Sequence, residues 1–144
     1  MIEIGPFRPA DREAWEALAR GYKAFYQESE PDEAYEQTWQ RLAAGTELFG
    51  LGARLDGRLV GIAHYLFHPA VWSGEACYLQ DLFTDEAARG RGAARALIEG
   101  VAAAARERGA DRFYWHTQES NARARVLYDK VARFTGFIRY AYRL

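Results

Sequence analysis

Two apolar, β-prone stretches, ELFGLGARL and RLVGIAHYLFH, are joined by nothing but Asp56-Gly57. A two-residue Asp-Gly link between such runs is a strong hairpin signal, because both central positions of the favoured turn require positive φ. A third long strand segment, EACYLQDLFT, follows after a short Pro- and Gly-containing stretch. Together they commit the middle of the chain to an antiparallel meander.

The flanks read as alternating helices and strands. IEIGPFR is a short strand. Asp11 is expected to cap a helix whose apolar positions Trp15, Leu18, Ala19, Tyr22 and Phe25 follow helical spacing. SEPDEAYEQTWQRL opens a second helix, with Ser29 or Pro31 near its start. A helix from about Ala88 to Arg108 carries Leu97, Ile98, Val101 and Ala105 on one stripe and stops at Gly109. RFYWHT is a strand, a helix runs from about Asn121 to Thr135 ahead of Gly136, and FIRYAYRL is a last strand. The order β-α-α-β-β-β-α-β-α-β predicts an α/β (α+β) fold. Its sheet is mixed and mostly antiparallel, with helices on both faces.

Composition narrows the class. One domain spanning residues 1–144 is expected, large enough for a real core, with hydrophobic residues at 49%. The single cysteine, Cys77, excludes an intramolecular disulfide and suits a reducing compartment. The stretch MIEIGPFRPADREAW lacks the basic-then-apolar pattern of a signal peptide, and no window reaches the ~18 apolar residues of a membrane span. A cytoplasmic protein is the expectation. Net charge is -1 but uneven: residues 1–76 carry 12 acidic and 7 basic side chains, residues 77–144 carry 8 and 12. That split is either surface scatter or a front half facing a cation and a back half facing an anion. Nucleic acid is not expected as a partner, since the chain has no recognised binding motif and no net positive charge.

The stretch Arg89-Gly90-Arg91-Gly92-Ala93-Ala94 sits between a strand and a helix. A helix N-terminus offers unpaired N–H groups and partial positive charge, and glycines allow close approach and unusual dihedrals. The segment reads as a phosphate cradle, or as a glycine-softened turn with solvated arginines. It is neither a dinucleotide fingerprint, whose third glycine is replaced by Arg95, nor a P-loop, since no G-x-x-x-x-G-K-S/T occurs.

The spacing R-x-x-G-x-A (Arg89, Gly92, Ala94) resembles the coenzyme A signature of the GNAT family, the GCN5-related N-acetyltransferases. NARARVLYDKVARFTGF resembles that family's second signature, N-x-x-A-x-x-L-Y-x-x-x-G-F, with a small insertion before Gly-Phe. The likeness extends from RPAD near the start to the last strand. YLQDLF and LYDKVARFTGFIRY look most like the yeast histone and polyamine acetyltransferases and their bacterial relatives.

The resemblance implies an N-acetyltransferase that moves an acetyl group from acetyl-CoA to a primary amine by direct attack in a ternary complex. It implies that the segment from Arg89 to Ala94 holds the pyrophosphate. It implies that the backbone of Leu82, Phe83 and Thr84 pairs with pantetheine, and that an N–H near Leu82 polarises the thioester. In the family the strand here ending at Thr84 splays from the one here written RFYWHT, and a bulge would free backbone groups for this. Asn121 would contact pantetheine and Tyr128 would protonate the leaving thiolate. Seven residues apart, the two fall on one helix face ~10 Å apart along the axis. Tyr128 also fits an apolar stripe with Leu127 and Val131.

The general base is open. Polyamine-type relatives carry Y-L-E-D where this chain has Tyr78-Leu79-Gln80-Asp81, and Gln80 takes no proton. Asp81, His64, His116 and a relayed water are candidates, although a lone strand histidine often only makes structural hydrogen bonds. A non-catalytic acyl-CoA-binding module is the alternative that Gln80 suggests. The acceptor, a small polyamine, amino acid or lysine side chain, should meet Tyr26, Glu28 and His64. The acidic run containing Glu28 also suits a helix N-terminus. No metal is expected. A homodimer through FIRYAYRL is implied by the family, against a monomer in which that strand pairs with RFYWHT.

Overall fold

The computed structural model describes all residues, Met1–Leu144. Strand β1 is Ile2–Gly5, β2 Leu48–Leu55, β3 Arg58–Pro69, β4 Glu75–Thr84 and β5 Arg112–Tyr114. Helix α1 is Arg12–Phe25, α2 Asp32–Ala44, α3 Ala93–Arg108 and α4 Ala122–Val131. The five strands lie in one sheet in chain order, antiparallel throughout β1–β4. Only β4 and β5 run parallel, because α3 carries the chain back across the sheet between them.

The Asp56-Gly57 turn is formed as expected, with φ of 52° and 79° and Leu55 paired with Arg58. Both faces of the sheet are covered. Under α3, Ala53, Val60, Ala63, Leu79, Leu97 and Val101 pack into one core. Under α1 and α2, Trp15, Leu18, Tyr35, Leu42 and Ile62 form the other. The expected mixed, mostly antiparallel sheet with helices on both faces is therefore the observed architecture.

Several boundaries differ from the sequence reading. Asp11 stands at the N-cap position of α1, but its side chain makes no capping hydrogen bond to the helix. Its carboxylate accepts from the Arg8 backbone N–H at 2.6 Å and pairs with Arg54, which is buried and needs a counter-charge. Of the two starts expected for the second helix, Ser29 and Pro31, the chain takes the latter: Pro31 is its N-cap. Helix α3 begins at Ala93, because Gly90 and Gly92 both hold positive φ and interrupt the turn after Glu86–Ala88. Helix α4 ends at Val131, where Ala132 turns extended.

The last expected strand is not formed within the chain. No backbone hydrogen bond joins residues 136–144 to any other segment, and Phe137, Ile138, Tyr140, Tyr142 and Leu144 are exposed. A strand is stable only against a partner's row of N–H and C=O groups. Here β5 is three residues long and pairs only with β4.

Candidate active site

The site grows from a break in register. His64 pairs with Asp81, yet the next residue, Tyr65, pairs with Leu79, so Gln80 is an extra residue in β4. Side chains of a strand alternate between faces, and one inserted residue resets that alternation. Leu79 and Leu82, three apart, both pack toward α3, while Asp81 and Phe83 face α1 and α2. Without the bulge the same sequence would turn Asp81 into the α3 core.

Asp81 is held from β3. His64 Nε2 accepts a hydrogen bond from the Trp15 indole N–H at 2.8 Å, so Nδ1 carries the ring proton and donates to Asp81 Oδ2 at 2.9 Å. Burial opposes ionisation of Asp81, but the hydrogen bond from His64, the nearby Tyr22 hydroxyl and the charge of Lys23 outweigh it. The carboxyl lies below its ordinary value. Tyr22 donates to the Gln80 carbonyl at 3.4 Å. Burial, then the charge of Asp81, holds its hydroxyl far above the usual value, so it stays protonated.

Two cavities meet here. The larger, of about 400 Å³, lies between α1, α2 and the β3–β4 bulge and is lined by Trp15, Tyr22, Lys23, His64, Gln80 and Asp81 among others. The smaller, of about 20 Å³, is lined by Tyr22, Tyr26, Gln80, Leu82, His116 and Tyr128, together with Leu79 and Trp115. Tyr22 and Gln80 line both, so the two cavities adjoin at these residues. Tyr128 packs edge-on to Trp115 with ring centroids 5.4 Å apart. Its hydroxyl is pushed up to about 12, first by burial and then by the neighbouring Tyr26.

Beyond Tyr78 the two parallel strands separate. β4 pairs with β5 only over Ala76–Tyr78, so the edge of Leu82, Phe83 and Thr84 away from β3 is free. This is the expected splay, and the bulge lies within it. At the far end of this opening stands the N-terminus of α3. No side chain caps it and no acidic residue lies in its first turn. Gly90 and Gly92 hold φ of 80° and 84° with open space around their Cβ positions. Arg89 and Arg91 enter no ion pair. Uncapped N–H groups, unpaired arginines and exposed glycine backbone suit a pyrophosphate.

Some expected residues take other positions. Glu28 does not line the larger cavity; it pairs with Lys23 at 3.4 Å, and Glu30 lines the cavity instead. Asn121 is the N-cap of α4, accepting from the Ala124 N–H at 3.4 Å and donating to Thr117 Oγ1 at 3.2 Å. His116 lies beside the Tyr78 hydroxyl at 3.3 Å and faces the smaller cavity. Trp15 and Tyr22 were legible only as members of an amphipathic stripe. Nothing in their spacing announces that one holds His64 and the other bridges two cavities.

Comparison with known proteins points to one family. Residues 15–134 match the family model described as Acetyltransferase (GNAT) family. The chain is 38% identical over 143 residues to the D-amino-acid N-acetyltransferase HPA3 of Saccharomyces cerevisiae, covering 96% of this chain and 89% of that one. It superposes with a TM-score of 0.83 and 26% identity on a ribosomal-protein-alanine N-acetyltransferase from Brucella melitensis, over 100% of this chain and 99% of that one. It also superposes on AAC(6')-Iy in complex with a bisubstrate analogue, CoA-S-monomethyl-acetylneamine, with a TM-score of 0.89 and 18% identity, over 100% and 99% of the two chains. Acetyl-CoA is accordingly the co-substrate, and it supplies an acetyl group activated as a thioester. This chain belongs to the GNAT family and is an acetyl-CoA-dependent N-acetyltransferase.

Proposed function

We propose that the protein acetylates the primary amine of a small amino-acid-like acceptor by direct attack in a ternary complex. The observation that carries this reading is the junction of the two cavities: one ends on an ionised carboxylate, the other on a protonated tyrosine, and Tyr22 and Gln80 lie between. The larger cavity is lined by both signs of charge, Lys23 and Arg41 with Glu30 and Asp81. A zwitterion needs both signs, whereas a polyamine would favour an acidic lining throughout. The yeast relative's acceptor, a D-amino acid, supports the same choice.

In this reading Asp81 receives the acceptor ammonium. A carboxylate below its ordinary value is a poor long-term proton holder, so it orients the amine and passes the proton to solvent. His64 is not a free base, since Trp15 fills the lone pair on Nε2. Tyr128, protonated at neutral pH, donates to the departing sulfur. The segment from Arg89 to Ala94 holds the pyrophosphate. Leu82, Phe83 and Thr84 offer a free strand edge to pantetheine, and Asn121 helps through the helix end it caps.

Three finer statements accompany it. The chain stands with the yeast histone and polyamine acetyltransferases, on the likeness of YLQDLF and LYDKVARFTGFIRY. It works in the cytoplasm, a reducing compartment that suits a single free cysteine, Cys77. It forms a homodimer through residues 136–144, whose exposed aromatics have no partner within the chain.

The test is thiol release from acetyl-CoA against D- and L-amino acids, polyamines and a lysine peptide. Turnover should concentrate on an amino-acid series. Turnover confined to polyamines or to the peptide would overturn the acceptor assignment.

A further inference from the structure

Asp81 is not held by chance contacts. The chain Trp15 to His64 to Asp81 runs from the buried face of α1, through β3, to the bulged strand β4. Trp15 is 1% exposed, and the His64 side chain 12%. Phe7 and Trp15 pack their rings against the imidazole, with centroids 6.1 Å and 5.9 Å away. An indole N–H is donor only, so it can meet only an unprotonated ring nitrogen. The proton of neutral His64 is thereby forced onto Nδ1, where its one acceptor is Asp81 Oδ2.

We propose that Trp15 and His64 are positioning residues for acetyl transfer: the indole N–H selects the Nδ1–H tautomer of His64, which tethers one oxygen of Asp81 and leaves the other for the acceptor amine. This rests on the reading that Asp81 receives the amine. The device resembles the way a buried partner orients a catalytic imidazole, run in reverse: here the imidazole orients the carboxylate. It also explains why the histidine lies beside the cavity without serving as its base. Other groups around that cavity are Tyr22 and Lys23 from α1, Glu30 ahead of α2, Tyr35 and Arg41 from α2, and Tyr65 from β3. Lys23 and Glu30 pair with each other at 3.4 Å, and among these groups none hydrogen-bonds the imidazole.

The tautomer is directly observable. In ¹⁵N-histidine-labelled protein, His64 should show a protonated Nδ1 and an unprotonated Nε2 throughout neutral pH. In Trp15→Phe, which removes the indole N–H together with the five-membered ring that carries it, Nε2 loses its donor and the Nε2–H tautomer should become populated. A wild-type ring in the Nε2–H form, or a variant ring held in the Nδ1–H form alone, would overturn the proposal. Kinetics give a second reading that does not depend on Trp15→Phe folding. His64→Leu should raise KM for the acceptor ~10-fold or more with KM for acetyl-CoA unchanged, the worth of a hydrogen bond to a charged group. His64→Asn keeps a donor near the Nδ1 position and should recover most of that loss; equal behaviour of Leu and Asn would also overturn the proposal. Asp81→Asn separates the two ideas. Wild-type kinetics in Asp81→Asn, with the tautomer as described, would refute the amine-binding role of Asp81 and leave the tether standing.

Discussion

His64 and Asp81 face each other across the one place where β3 and β4 change register, with Nδ1 and Oδ2 2.9 Å apart and Gln80 bulged out beside them. The bulge is what lets a carboxylate that follows Leu79-Gln80 reach the α1–α2 side of the sheet.

Deleting Gln80 should therefore straighten β4 while leaving Asp81 on the same face, since Tyr78, Leu79, Asp81 and Leu82 then alternate without interruption. The protein should fold, with circular dichroism close to wild type. Because displacement of about 1 Å at a reacting centre costs ~10²-fold, kcat/KM should fall by about that factor. Wild-type turnover in the deletion would show the bulge to be dispensable.

Tyr128→Phe should lower kcat ~10²-fold or more with coenzyme A affinity near wild type, as expected for loss of a general acid. With the hydroxyl pushed up to about 12, no alkaline fall should appear below about pH 10, and kcat/KM should climb as the acceptor amine loses its proton. A stability consequence follows from the same shift. A tyrosine whose folded value is raised contributes fully below its unfolded value near 10 and loses that contribution as pH rises toward 12. Urea midpoints measured across that window test it.

Gly92 and Gly109 stand at opposite ends of α3 with φ of 84° and 86° and open space at both Cβ positions. Alanine at either should cost a similar ~1 kcal/mol through backbone strain alone. Only Gly92→Ala should also weaken coenzyme A binding, because only that end carries the uncapped N–H groups. Calorimetry on the pair decides it; equal affinities in both variants would remove the pyrophosphate role.

Arg54 is 2% exposed, pairs with Asp11, and has an Nη1 with no partner. Asp11→Ala leaves that charge buried and alone, and should destabilise the fold by roughly 3–5 kcal/mol. Adding Arg54→Met should restore much of the loss, since an apolar side chain tolerates the site that an unpaired guanidinium does not. Denaturant midpoints of the single and double variants measure both effects.

The unpaired segment 136–144 should hold two copies together. Light scattering at micromolar protein should return about twice the single-chain 16.4 kDa. Truncation after Gly136 should abolish the larger species. A full-length mass near one chain would reject association through this segment.

The antiparallel meander, the crossover helix and the two glycine-arginine positions ahead of α3 were all determined by the sequence itself. Each rests on local chemistry: an Asp-Gly turn that needs positive φ, alternation along strands, a helical stripe, glycines where backbone must stay bare. Tyr128 and Asp81 were legible as candidates by another route, the resemblance of LYDKVARFTGF and YLQDLF to the GNAT family. What only the tertiary structure decided involves partners distant along the chain. Asp11 looks like a helix cap until Arg54, 43 residues on, claims its carboxylate. FIRYAYRL looks like a strand, but a strand exists only where another offers it a ladder, and no other segment of the chain does. Trp15 looks like core packing until α1 lays its N–H against His64 of β3. The bulge at Gln80 depends on how β4 pairs with β3, and that pairing sets the face on which the carboxylate emerges.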